Sequence, residues 1–199
     1  LRARDVLLGR GFFETPSLVN LNPDLAKERK DAEVWIRITF DLPPEMDLSG
    51  PGAIAADLQT GTILFEKNKD DIYPTASLAK LMTAVIVQEA LASSTVITSG
   101  ADSVSTYGNS GGIVRGESFR VSDLLYGLLL PSSNDAARMF ELSQENFVSA
   151  MNIKAATLGM ARTLYTDSSG LKQETASSAA DLVKLLRYIY LKHPEIAAV

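Results

Sequence analysis

Two short apolar runs around a glycine turn are followed by little except helix, and that order restricts the fold more than any single motif. Ala53-Ile54-Ala55-Ala56-Asp57 and Ile63-Leu64-Phe65-Glu66-Lys67 flank Leu58-Gln59-Thr60-Gly61-Thr62, the pattern of a β-hairpin. Beyond it, apolar spacing and punctuation predict helices over 78–91, 124–130, 134–142 and 147–158, and from 178 through Tyr190. Ser122-Asp123 is expected to cap the second of these and Pro131 to stop it. Gly159 is expected to end the fourth. Ser178, three residues before Asp181, resembles a capping box for the last. A two-stranded hairpin makes a poor sheet by itself, so partner strands are required. The other strand read from the sequence is Val34-Trp35-Ile36-Arg37-Ile38-Thr39-Phe40.

Upstream of the hairpin the texture differs. Asn22-Pro23-Asp24 opens a short charged helix over Leu25-Ala26-Lys27-Glu28-Arg29-Lys30. Leu42-Pro43-Pro44 and Ser49-Gly50-Pro51-Gly52 then punctuate the chain. We expect a domain boundary there, with residues 1–48 an extension and 49–199 the main domain. Residues 106–116, with Gly108, Gly111, Gly112 and Gly116, form a glycine-rich loop. That loop lacks the lysine pattern of a phosphate-binding loop.

Composition removes several functional classes. The 199 residues carry a net charge of −5, which argues against a nucleic-acid partner. There is no cysteine, so disulfides, thiol catalysis and zinc–thiolate sites are excluded. His193 is the single histidine, so a histidine-rich metal site is excluded and a Ser-His-Asp triad would have to use it. No cofactor is expected. The longest apolar stretches, such as 124–131, are far too short to span a bilayer. The chain starts at Leu1 rather than Met, so a processed or cropped product is expected, with room for a membrane-holding segment before Leu1.

The chemistry-bearing motif is Ser77-Leu78-Ala79-Lys80, between the Pro74-Thr75 turn and an apolar run. If a helix starts there, positions i and i+3 share a face and the lysine amine lies beside the serine hydroxyl. That is a nucleophile next to a base. A Ser-x-x-Lys match alone says little, since ~1 is expected by chance in a chain of this size. Ser169-Gly170-Leu171-Lys172 also fits, but it sits in a turn-like context that fixes no serine–lysine geometry, and we treat it as a decoy. Ser77 by itself reads equally as a helix-capping serine, with Lys80 on a solvated face. The second element is Ser132-Ser133-Asn134, at a corner between two helices, which by itself is also an ordinary cap.

Taken together, the sequence resembles the penicillin-binding D-alanyl-D-alanine carboxypeptidases, serine peptidases related to class A β-lactamases. That superfamily uses a Ser-x-x-Lys, a Ser-x-Asn and a Lys-Thr/Ser-Gly element. The resemblance runs in order from about residue 52 to 196. It includes the hairpin Asp57–Asn68, Asp123-Leu124-Leu125-Tyr126-Gly127-Leu128-Leu129-Leu130, and Ser132-Ser133-Asn134-Asp135-Ala136-Ala137. Further on it includes Met151-Asn152-Ile153-Lys154-Ala155, Leu158-Gly159-Met160 and Thr166-Asp167-Ser168-Ser169-Gly170-Leu171. It implies an α+β, β-lactamase/transpeptidase-like fold: an antiparallel sheet plus a helical subdomain. It implies Ser77 as the acylated nucleophile and Lys80 as its base. Ser132 is implied as a proton relay, and Asn134 as a residue that orients Lys80 and binds the substrate amide. The Ser77 N–H is implied as half of an oxyanion hole. The implied partner is a peptidoglycan stem peptide ending in D-Ala-D-Ala, with β-lactams acylating the same serine, outside the cytoplasmic membrane.

Residues 1–48 carry no such resemblance, and no Lys-Thr-Gly or Lys-Ser-Gly occurs anywhere. The chain stops at Val199, about where the returning strands are expected. A C-terminally truncated fragment is therefore expected, with the C-terminal strands absent and the isolated chain nearly inactive. Two other readings stay open. A class A-like β-lactamase needs a glutamate in the loop after Ser-x-Asn, and 164–171 has none. A non-catalytic penicillin- or cell-wall-binding domain fits the missing third element. Elsewhere, Asp102, Glu117 and Lys154 are expected on solvated faces and Trp35 and Tyr126 in packing. His193 is expected at a helix C-terminus, and the 106–116 loop at the border of the cleft.

Overall fold

The computed structural model describes residues 48–104, 106–108 and 111–199, all of them within one compact unit, Asp47–Val199. The helix expected over 25–30, the strand over 34–40 and Trp35 lie outside the described residues. The hairpin is present: β1 (Ala53–Ala56) pairs antiparallel with β2 (Ile63–Lys67), from Ala53 opposite Lys67 to Ala56 opposite Ile63. Asp57 makes its turn by accepting from the backbone N–H groups of Gln59 and Thr60, an Asx turn.

Five helices fall where the apolar spacing places them. They are α1 (Ala79–Ala90), α2 (Val121–Leu129), α3 (Asn134–Leu142), α4 (Phe147–Thr157) and α5 (Ala179–Lys192). A short α6 (Pro194–Ala197) follows His193, which closes α5. The cap expected for α2 is not the one used. Ser122 lies inside the first turn, with its hydroxyl on Asp123, and the helix starts from extended Arg120 with no side-chain cap. Ser178 does cap α5 by accepting from Asp181 N–H. The Asp181 carboxylate, however, turns to the Arg162 N–H, the Thr163 hydroxyl and Lys184.

Four three-residue strands escape the sequence reading. β3 (Ile72–Pro74) pairs with β6 (Ala176–Ser178), and β4 (Val96–Thr98) with β5 (Ser118–Arg120), both antiparallel. Three residues are too few for an alternating pattern to register. The sheets join segments distant in sequence, and β3–β6 ties the chain before Ser77 to the chain after Ser169. The described residues thus form an α+β unit in which two-stranded antiparallel sheets border a helical core.

That core is built around α1. Ala79, Met82, Ala84, Val85, Ile86 and Val87 are buried, and α1 touches α2, α3, α4 and α5. A helix apolar on all sides belongs in an interior. Its polar residues Lys80 and Thr83 are buried with it and need partners there. Away from this core Tyr126 is 53% exposed, against the expectation that it packs. Lys154 is not a simple solvated residue either, since it pairs with Glu89 at 2.6 Å.

Candidate active site

β3 delivers the chain to the site. Thr75 donates through its N–H and its hydroxyl to the Thr175 carbonyl, at 2.9 and 3.2 Å, which pins the segment just before Ser77. Ala76 then takes a left-handed backbone, φ +46. A single 3-10 turn, Ala76–Leu78, feeds α1. Ser77 and Lys80 therefore sit one turn apart on one face, and Lys80 Nζ lies 3.2 Å from Ser77 Oγ.

Lys80 is 2% exposed. Its other bond goes to the carbonyl oxygen of Ser169, at 3.1 Å. Burial pushes the amine down to about 8, and the Asp167 carboxylate works in the opposite direction. Loss of hydration disfavours the charged amine, while a nearby anion favours it. An amine poised there exchanges a proton near neutral pH far more readily than an ordinary lysine.

Ser132 enters from the corner between α2 and α3. It too has a left-handed backbone, φ +60. Its hydroxyl oxygen is buried without a hydrogen-bond partner. Ser77, Lys80 and Ser132 line one cleft of about 340 Å³ together with Thr75, Leu81 and Leu128. An unpartnered buried hydroxyl is costly unless something else occupies its lone pairs or takes its proton.

Asn134 stands differently from the sequence expectation. It opens α3, after Ser133 has capped that helix by accepting from Ala136 N–H at 3.0 Å. Its side-chain amide donates to the Tyr107 carbonyl at 2.8 Å, and the bonds of Lys80 go to Ser77 and Ser169 instead. The glycine-rich loop explains this. A Cβ at Gly111 would lie 2.5 Å from Ser133 Cβ, and one at Gly108 would lie 3.0 Å from Asn134 Nδ2. The loop is seated directly on the Ser132–Asn134 corner.

The segment around the second Ser-x-x-Lys match does belong to the site, though not as a serine–lysine pair. Ser169 Oγ donates to Asp167 and Lys172 to the Thr166 carbonyl. Its contribution is the Ser169 backbone carbonyl on Lys80, which has no sequence signature. The same loop is fastened to α1 by Thr83 Oγ1 donating to Ser168 O, and to α3 by Ser168 Oγ donating to Glu141 and to Ala137 O. Only Gly170, with φ +79, marks in the sequence that a tight turn lies there. Among the described residues, no cluster of three or more His, Asp or Glu is placed to hold a metal ion, and no helix is long and apolar enough to cross a membrane.

A buried lysine thus lies against a serine one helical turn earlier, with a second serine lining the same cleft. Residues 41–199 match the family described as D-alanyl-D-alanine carboxypeptidase, and the chain belongs to that family. It is 38% identical over 141 residues to a D-alanyl-D-alanine carboxypeptidase of Mycobacterium tuberculosis, covering 67% of this chain and 48% of that one. It is 34% identical over 151 residues to a D-alanyl-D-alanine endopeptidase of Pseudomonas aeruginosa, covering 73% and 49%. The chain spans about half the length of these curated relatives. Among solved structures, penicillin-binding protein D2 of Listeria monocytogenes in its ampicillin-bound form is similar, with a TM-score of 0.67 and 33% identity. That match covers 76% of this chain and 66% of that one. These likenesses agree with the β-lactamase/transpeptidase-like fold expected from the sequence.

Proposed function

We propose that Ser77 is the acylated nucleophile of a serine-type D-Ala-D-Ala peptidase acting on peptidoglycan stem peptides outside the cytoplasm. The observation that carries this is the 3.2 Å approach of a buried lysine amine to the Ser77 hydroxyl. Neutral Lys80 takes the Ser77 proton as Oγ bonds to the carbonyl carbon of the penultimate D-alanine. The C–N bond to the last residue then breaks. Its nitrogen leaves as an amine after receiving a proton through Lys80 or Ser132. Water attacks the resulting ester, releases the shortened peptide and restores Ser77. At pH 7 a lysine at about 8 is neutral in about a tenth of molecules, enough for a working base.

Ser132 suits the relay because its buried hydroxyl has no competing partner. Asn134, two residues after Ser132 and held by the Tyr107 carbonyl, is assigned in this reading to binding the substrate amide. The Ser77 N–H, in the first turn of a helical run, belongs to the group of donors that a helix leaves unpaired and forms one side of an oxyanion hole. Residues 1–199 contain no Lys-Thr-Gly or Lys-Ser-Gly, the element that brings the opposite side in this superfamily. A polypeptide of these residues alone therefore turns over poorly, since one lost oxyanion donor costs ~10²–10³. In this reading residues 49–199 are part of the catalytic domain and 1–48 an extension of it. β-Lactams acylate Ser77 and act as inhibitors.

The test is labelling of the full-length protein with a fluorescent penicillin, followed by mapping of the labelled peptide. Label on Ser77, lost in Ser77→Ala, supports the reading. Label elsewhere, or none, overturns it. Rapid turnover of the β-lactam by the same protein would instead favour a lactamase.

A further inference from the structure

We propose that Asp167 is a positioning residue for Lys80: its carboxylate ties down the loop whose Ser169 carbonyl holds the amine, and its charge governs how readily that amine gives up a proton. This rests on the reading of Lys80 as the base for Ser77.

The geometry is a two-step linkage. Asp167 Oδ2 accepts from Ser169 Oγ at 2.7 Å and from the Leu171 N–H at 2.9 Å, and Oδ1 accepts from Thr175 Oγ1 at 2.5 Å. One carboxylate thus grips the loop on both sides of Gly170 and anchors it to the strand entering β6. The carbonyl of the gripped Ser169 is the one on Lys80. Asp167 and Ser169 are each 8% exposed, so water competes little for these bonds. Burial by itself pushes the Asp167 carboxyl up. The bonds from Thr175, Ser169 and the Leu171 and Lys172 backbone outweigh that and hold it below the ordinary aspartate range. Asp167 is therefore a fixed anion at working pH.

The other charged groups on the elements near this corner make no bond to Lys80, whose partners are Ser77 and Ser169. Glu141 of α3 is occupied by Ser168 and Arg138. Asp135, beside the Ser132 corner, accepts from Thr106 through Oδ1, while its buried Oδ2 has no hydrogen-bond partner and makes no bond to Lys80. Lys172 donates to Thr166 O. Among the described residues Asp167 is the charge that acts on Lys80. It keeps the buried amine from losing its proton too early, so that one group is basic enough to deprotonate Ser77 and acidic enough to protonate a leaving amine.

The experiment measures the rate of fluorescent-penicillin acylation of the full-length protein from pH 5 to 10, for wild type, Asp167→Asn, Asp167→Glu and Ser169→Ala. The wild-type rate rises with pH through the Lys80 titration. Asp167→Asn removes the anion, so the midpoint moves to lower pH by at least about half a unit, with a lower plateau. Asp167→Glu keeps the charge, so its midpoint stays near wild type while its plateau falls. Ser169→Ala keeps both the charge and the carbonyl but loses one anchor, and it lowers the plateau ~3–10-fold (about 1 kcal/mol of positioning) without moving the midpoint. An unmoved midpoint in Asp167→Asn overturns the proposal. If that variant does not fold, an unchanged Ser169→Ala plateau overturns it. Wild-type protein unlabelled at Ser77 at every pH defeats the underlying reading instead.

Discussion

A Cβ placed on Gly170 would fall 1.7 Å from the carbonyl oxygen of Ala76. The turn that presents Ser77 and the loop whose Ser169 carbonyl holds Lys80 are therefore in backbone contact. Gly170 also has φ +79, and Ala76 itself is left-handed. Gly170→Ala is expected to force these two segments apart. We expect a loss of about 2–4 kcal/mol in stability and a fall in Ser77 acylation of at least ~10²-fold. Thermal melting and penicillin labelling on the same preparation check both. Normal labelling would show that the contact is not needed.

Lys80 gives a pH signature in stability as well as in rate. Its pKa falls from the ordinary 10.5 to about 8 in the folded protein because burial disfavours the charge. Between those values the unfolded chain binds more protons than the native one, so stability rises with pH across that window. Below about pH 8 the buried charge is a standing cost. Lys80→Met should raise stability at pH 7 by about 1–3 kcal/mol and abolish acylation, and the gain should shrink as pH climbs toward 10.5. Chemical denaturation at pH 7 and pH 10 measures it, and a gain independent of pH would contradict the buried-charge account.

Ser132→Ala separates stability from activity. The hydroxyl it removes is buried and unpartnered, so its loss is expected to cost less than about 0.5 kcal/mol or to stabilise slightly. Acylation should fall ~10²–10⁴-fold with the loss of the proposed proton relay. A large drop in melting temperature with near-normal acylation would assign Ser132 to packing.

Asp181 supplies the opposite control. It is buried and accepts from Arg162 N–H, Thr163 Oγ1 and Lys184 Nζ, at 2.7, 3.0 and 2.6 Å. Asp181→Ala leaves the Arg162 N–H unmatched and strips one partner from Thr163 and Lys184, which keep Ser177 and the Gly159 carbonyl. It should destabilise by about 2–4 kcal/mol while the acylation rate per folded molecule stays within a factor of a few. Titration of active serines against folded protein distinguishes the two effects.

The helices were legible because each buries a stripe or a whole surface long enough to repeat, and because glycine, proline and serine mark their ends. Even so, Ser122 looked like a cap and is not one: Arg120 is already committed to β5, and the helix begins directly from it. β3 to β6 left no trace at three residues each. Ser77, Lys80 and Ser132, which the structure brings to one cleft, were readable as motifs because a motif is written in side-chain types. The Ser169 carbonyl was not readable, since every residue has one. Asn134 was readable as a candidate, but its partner Tyr107 depends on where a glycine loop lands.

By itself, then, the sequence determined that a serine and a lysine would share one face at the start of a buried helix, because a helical turn of backbone is local and its period is constant. It also determined the family to which that helix belongs. Only the tertiary structure decided what surrounds the pair. The β3–β6 pairing brings a loop some 90 residues away onto Lys80, at 3.1 Å from Ser169 O. The desolvation of that amine, its carbonyl anchor and the Asp167 charge that opposes the desolvation all follow from packing between distant segments, and no local pattern encodes such packing.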